Sequence, residues 1–304
     1  LGEGENKTAF LWNAWEKSNK TYLLLMAFTV TISNVMRAER WRMLLKPTDN
    51  HVSFGGSFLS LLIGYLVNLA VPRGGEVSRC YNLYKLEKTP VEVSFGTVVV
   101  ERIIDVICLV AVIAISFLVE WKKLKAFMDT LELPASTGTF LSPWKILFFL
   151  GLMVIALAVF LLRKNEKFRK IIIGFKEGLL AVFQLKNKGL FIFYSIAIWA
   201  LYFLMSYFVL KAFTETQHLG FSAVMTLFAI GAIAMAVPLP GGAGSYHTLV
   251  PMGLVALYNL PKPDAIAFVF IFHGWQTLIM IVGGVVSLII SYWIIRWKKA
   301  HEKL

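Results

Sequence analysis

The sequence predicts an all-α polytopic membrane protein with about five full transmembrane helices and two re-entrant hairpins, laid out as an inverted repeat. Three observations carry that prediction. The 304 residues are 58% hydrophobic and 16% charged, with a mean hydropathy of +0.69, whereas a soluble domain carries about 25% charged residues. Apolar runs of membrane-spanning length, about 17–25 residues, recur along the chain. Two of these runs end in proline- and glycine-rich breaks, Val71-Pro72-Arg73-Gly74-Gly75-Glu76-Val77-Ser78-Arg79 and Val237-Pro238-Leu239-Pro240-Gly241-Gly242-Ala243-Gly244-Ser245. Backbone opened beside lipid leaves polar groups unpaired, so such breaks persist only inside protein or beside a polar cavity. Paired breaks in two halves of a chain point to a transporter-type site.

Residues 1–20 read as an interfacial amphipathic segment, because Phe10, Leu11, Ala14 and Trp15 recur at helical spacing; an unstructured tail is the alternative. Residues 21–304 read as one integral membrane domain, with repeats at about 21–119 and 190–296. The first span covers 22–36 and runs into Arg37-Ala38-Glu39-Arg40-Trp41-Arg42. Arginines and a tryptophan at a span end suit an interfacial anchor, and a functional role is equally open. The second run, 54–71, leads into the first break, and 78–88 is too polar to face lipid. The third span, 93–119, contains Glu101, Arg102 and Asp105; the fourth is 144–162. A basic stretch at 163–188, with Ile171 to Ile173, Leu179 and Leu180 interleaved, reads as a surface-lying helix. The fifth span is 190–210, the run 221–237 leads into the second break, and a short helix follows at 245–258. The last span is 265–295, closed by Arg296, Lys298 and Lys299.

The net charge is +12. Because the basic residues cluster between apolar spans, they fit membrane orientation and anionic headgroups, and no nucleic-acid partner is expected. Loop charge then fixes the topology. The basic connections 37–46 and 163–188 and the C-terminus belong on the cytoplasmic side of the cell membrane. If every apolar run crossed, 163–188 would fall outside. If each broken run returns to its own side, all three basic regions fall inside. The two hairpins then enter from opposite faces, which is the inverted-repeat plan of many secondary transporters.

The candidate substrate-binding residues follow from this layout. Arg73, Glu76, Arg79, Glu101, Arg102 and Asp105 lie in or beside membrane-depth segments, where a charge costs about 2.5–3.5 kcal/mol and normally faces the protein interior. Glu101, Arg102 and Asp105 share one helix face; they either brace the hairpin or line a polar cavity. Gly74, Gly75, Gly241, Gly242 and Gly244 precede short helices whose N–H groups favour an anion, or else they allow tight turns and close packing. Ser245, His247 and His273 complete the set. Ser245 and His273 supply the residue types of a hydrolase dyad, although an N-cap role for Ser245 is plainer. Glu76 or Asp105 would serve a lipid glycosyltransferase. A structural membrane partner is a further alternative. His247 and His273 come without any metal-ligand spacing, and Cys80 and Cys108 read as unpaired packing residues. No cofactor, metal or cleavable signal peptide is expected. No nucleotide-binding loop is present, so transport by this chain would be passive, ion-coupled or partner-driven.

Taken together, Pro72-x-Gly74-Gly75-Glu76-x-x-Arg79, then Glu101-Arg102-x-x-Asp105, then Pro240-Gly241-Gly242-x-Gly244 resemble the membrane domain of lysylphosphatidylglycerol synthases. The same domain stands alone in the flippase-like UPF0104 proteins. Arg40-Trp41-Arg42 after the first span fits as well. The resemblance covers the chain from about Ala9 onward. It implies an integral membrane domain that moves or handles lipid; in the synthases the domain is linked to flipping aminoacylated phosphatidylglycerol, and for stand-alone members the substrate is commonly unassigned. The glycine-flanked helix starts and the arginines of this chain point to an anionic phospholipid or lipid-linked phosphate carrier as partner. Two departures stand out. Family members usually have a further span before the equivalent of Ala9, and an acidic residue often follows the second glycine motif, where this chain has Tyr246-His247. Without the aminoacyl-transfer domain, lipid aminoacylation is not expected.

Overall fold

The computed structural model describes residues 7–130, 165–236 and 244–301. Among them the secondary structure is helical throughout: α1 Lys7–Lys17, α2 Lys20–Leu45, α3 Phe54–Ala70, α4 Gly74–Glu87, α5 Val91–Thr130, α6 Glu166–Leu180, α7 Lys188–Ala212, α8 Phe221–Ala236, α9 Ser245–Tyr258 and α10 Lys262–His301. The span expected at 144–162, and the glycines Gly241 and Gly242 of the second break, lie outside the described residues. Helices α2, α5, α7 and α10 are long and apolar enough to cross a membrane; α3 and α8 are apolar but shorter.

Local chemistry sets the boundaries. Asn19, Ser53 and Asn187 cap α2, α3 and α7, accepting from the N–H groups of Thr21, Gly56 and Leu190. Arg73 (φ 62°) turns the chain between α3 and α4, and Lys88 (φ 60°) ends α4 in the left-handed region just before Pro90. Asn259 (φ 52°) does the same for α9 ahead of Pro261. Glu120 (φ −130°, ψ 39°) kinks α5.

Helices α3 and α4 form an antiparallel hairpin. The Asn82 side-chain amide donates to Ser60 Oγ (2.9 Å), and Ser53 Oγ donates to Glu87 Oε1 (2.5 Å). At the tip a Cβ on Gly75 would lie 2.1 Å from the Gly64 carbonyl oxygen, so only glycine permits this approach. Helices α8 and α9 form a second hairpin: Ser245 Oγ donates to Ala234 O (2.7 Å), Gly253 faces Leu227 and Ile230, and Gly231 faces Tyr246.

The inter-helix contacts sort the chain into two ends. Helices α2 and α7 run antiparallel through the centre, with Asn19 N–H donating to Ala212 O (2.7 Å) at one end and Arg40 meeting Ser195 in the other half. Lys298 Nζ donates to Leu86 O, and α6 packs against the start of α5 through Gly174, Gly178 and Gly96. The first hairpin's open end, α6 and the C-terminal end of α10 therefore sit at one end. The α7–α8 connection and the second hairpin's open end sit at the other, where Lys123 lies over the Tyr258 ring and Phe213 over Phe268. Helix α10, which follows the second hairpin, packs on the first; helix α5, which follows the first, packs on the second. Among the described residues, the end of α2, helix α6 and the C-terminal end of α10 lie at one end.

Large apolar side chains stay exposed along α5 (Ile103, Val106, Ile107, Val110, Leu118) and α10 (Leu278, Val282, Val285, Leu288, Ile289). Continuous apolar stripes of that length suit lipid contact and not water.

Candidate functional site

The densest chemistry lies where α2, α4 and α5 meet. Glu101 is fully buried and accepts hydrogen bonds from three guanidinium groups: Arg37 Nη2 (2.9 Å), Arg79 Nη2 (3.0 Å) and Arg102 Nη2 (3.1 Å). Arg40 Nη2 lies 3.5 Å from the same carboxylate and donates to Asp105 Oδ1 at 2.7 Å. Asp105 also faces Arg37 (3.8 Å) and Arg102 (3.6 Å). Helix α7 contributes Tyr202, whose hydroxyl accepts from Arg37 Nη1 (2.5 Å), and Ser195, which accepts from Arg40 (3.3 Å). The Arg79 guanidinium stacks over the Trp41 ring at 4.7 Å, and Trp41 Nε1 donates to Thr97. Arg37 lies over the Tyr65 ring at 5.5 Å.

Helix periodicity explains the assembly. Arg37, Arg40, Trp41 and Leu44 recur at three- and four-residue steps, so α2 presents them on one buried face. Glu39 and Arg42 fall on another side and pair with each other at 2.6 Å. On α5, Glu101 and Asp105 are one turn apart. Glu101 stands ten residues from the start of α5, about 15 Å along the axis.

Within these ion pairs four guanidinium groups face two carboxylates, leaving two positive charges in excess. The Nε atoms of Arg37, Arg40, Arg79 and Arg102 are all buried without a hydrogen-bond partner. Buried polar groups are normally satisfied, and buried charge is normally matched. The cluster thus holds donors and charge that the described residues do not use. Among the described residues its most exposed part is on α5, where the Arg102 side chain is 35% exposed and that of Asp105 17%.

Of the candidates from sequence, Arg79, Glu101, Arg102 and Asp105 come together here. Arg73 sits exposed at the hairpin tip between α3 and α4. Glu76, a turn before Arg79, has one buried oxygen without a hydrogen bond and bridges none of the four arginines. Gly75 is a packing residue, and its N–H donates to Asn68 Oδ1 (2.7 Å), so that amide is already occupied. Gly74 starts α4 against Val71, and Gly244 (φ 96°) starts α9. Ser245 latches the second hairpin to Ala234. His247 and His273 meet edge to face at 4.7 Å, with Tyr246 stacked on His273 at 5.6 Å. Among the described residues, no group of three or more His, Cys, Asp and Glu side chains could hold a metal.

Arg37 and Arg40, which the sequence leaves open between an anchor and a functional role, are central to the cluster but absent from the candidate set drawn from sequence. The apolar run stops at Met36, which suggested a span end. The helix continues because no breaker comes before Pro47, and the arginine spacing was the available signal.

An all-helical bundle with four helices long and apolar enough to cross a membrane, exposed apolar stripes and a buried ionic cluster defines an integral membrane protein. The sequence matches the family described as the lysylphosphatidylglycerol synthase TM region over residues 8–284, and the chain belongs to that family. It is also similar to two UPF0104 membrane proteins of Methanocaldococcus jannaschii. One is 35% identical over 91 residues, 29% of this chain and 27% of that protein. The other is 26% identical over 200 residues, 65% of this chain and 81% of that protein. The match thus spans about a quarter of the length of the first relative. No solved structure matches the chain.

Proposed function

We propose that this protein receives the anionic headgroup of a membrane lipid at the Arg37–Arg40–Arg79–Arg102 cluster and carries it between leaflets. The excess of two buried positive charges with four unused Nε donors is the observation that carries this reading. Arginine suits bidentate contact with phosphate oxygens, and the opening at Arg102 faces the side where lipid would lie.

The architecture supports movement rather than static binding. The order of amphipathic helix, long helix, hairpin and long helix occurs in α1–α5 and again in α6–α10, with the two hairpins opening to opposite ends. We read this as an inverted repeat with two re-entrant hairpins, the plan on which alternating access is commonly built. The end holding α6 and the C-terminus is the cytoplasmic one by its charge.

The test is translocation of a fluorescent anionic phospholipid in proteoliposomes, scored by chemical quenching from outside. Wild-type protein should move the lipid, and Arg40→Gln should slow it at least about tenfold, the loss expected when a charged contact worth 1.5–3 kcal/mol is removed. Wild-type protein that moves no anionic lipid, with or without an ion gradient, refutes the proposal.

A further inference from the structure

We infer that the headgroup recognised at this cluster is a dianion, a lipid-borne phosphomonoester or diphosphate. This inference rests on the headgroup reading above and names its substrate class. A brace built only to hold helices together is complete when its charges cancel. Within 4 Å of one another, α2, α4 and α5 bring four guanidinium groups and two carboxylates, and Glu76 of α4, one turn before Arg79, forms none of these ion pairs although one of its oxygens is buried. Both carboxylates are already used: Glu101 by Arg37, Arg79 and Arg102, and Asp105 by Arg40. Within these ion pairs two positive charges are left uncompensated. A phosphomonoester carries about −1.5 to −2 at pH 7. The phosphodiester of phosphatidylglycerol carries a single charge, and its lysyl ester is net cationic. The unused Nε donors match the several oxygens of a terminal phosphate, which a phosphodiester, esterified on two sides, presents less fully.

The opening decides between a lipid and a free phosphate. The exposed part of the cluster is Arg102 and Asp105. Beside them along α5 run the exposed side chains of Ile103, Val106, Ile107 and Val110. A phosphate arriving there has apolar surface next to it for acyl or prenyl chains, as a lipid requires and inorganic phosphate does not.

The experiment measures binding of phosphatidic acid, phosphatidylglycerol, phosphatidylcholine and lysylphosphatidylglycerol, each with the same fluorescent acyl chain, to the purified protein in uncharged micelles at pH 8. Inorganic phosphate and pyrophosphate serve as competitors. Phosphatidic acid should bind at least about tenfold tighter than phosphatidylglycerol, one unit of charge acting at short range in a partly desolvated site. Lysylphosphatidylglycerol should bind weakest. Arg102→Gln should bring the two anionic lipids close to parity, Arg102→Lys should keep most of the preference, and Asp105→Asn should tighten phosphatidic acid. Opposite effects of Arg102→Gln and Asp105→Asn on folded, monodisperse protein follow from charge counting, whereas a structural brace loses binding in both. Should Asp105→Asn not fold, the Gln and Lys variants at Arg102 still decide the point. Equal or tighter binding of phosphatidylglycerol overturns the dianion inference but leaves the headgroup reading standing. No binding of any lipid overturns both. Competition by inorganic phosphate at concentrations equal to the lipid overturns the lipid source.

Discussion

Replacing Glu101 by Gln tests how far this cluster holds the fold. The substitution keeps shape and one acceptor oxygen but removes the carboxylate that lies within 3.5 Å of all four arginines. At an effective dielectric of about 20, two unit charges about 4 Å apart attract by about 4 kcal/mol. Several such attractions disappear together, offset by the desolvation that a neutral side chain no longer suffers. Breaking a buried pair by removing one partner typically leaves a net loss of about 3–5 kcal/mol, a large part of the ~5–15 kcal/mol by which proteins are stable. The expected drop in Tm is about 10 °C, followed by tryptophan fluorescence of protein in detergent. The double variant Glu101→Gln with Arg102→Gln returns the excess to two positive charges. It should be more stable than the sum of the single effects by about 1 kcal/mol or more. A Glu101→Gln protein melting within about 2 °C of wild type, or strictly additive effects, would refute the reasoning.

Two other perturbations read the hairpins and the topology. Gly75→Ala should cost about 1–3 kcal/mol by overpacking, because its Cβ meets the Gly64 carbonyl and Asn68; Gly55→Ala, with nothing within 4 Å, should be neutral or gain up to about 1 kcal/mol. Comparing the two variants by thermal unfolding checks that the tip glycine acts through packing, and equal effects would contradict it. Single cysteines at Lys176 and Lys125 should label from opposite sides of a sealed vesicle, since α6 packs at the start of α5 and Lys125 lies beyond the kink at its far end. Labelling of both from one side would contradict the two-hairpin arrangement.

The sequence by itself determined the class. Apolar runs of spanning length, basic connections between them and helix breakers at 72–75 follow from chain-local physics: lipid excludes unpaired backbone and isolated charge wherever they occur. The clustering of Arg79, Glu101, Arg102 and Asp105 was legible for the same reason, since charges at membrane depth must find one another. Tertiary structure alone decided the rest. Local pattern left Arg37 and Arg40 open between a span-end anchor and a functional role, because a window along one helix cannot show that α5 and α7 bring Glu101, Asp105, Tyr202 and Ser195 against that face. The role of Gly75 was undecided in sequence between anion binding and packing; the Gly64 carbonyl, eleven residues away, occupies the space a side chain would need. The charge excess is likewise a property of the assembled site. Each helix taken singly carries ordinary charges, and only their convergence from α2, α4 and α5 leaves two of them unmatched.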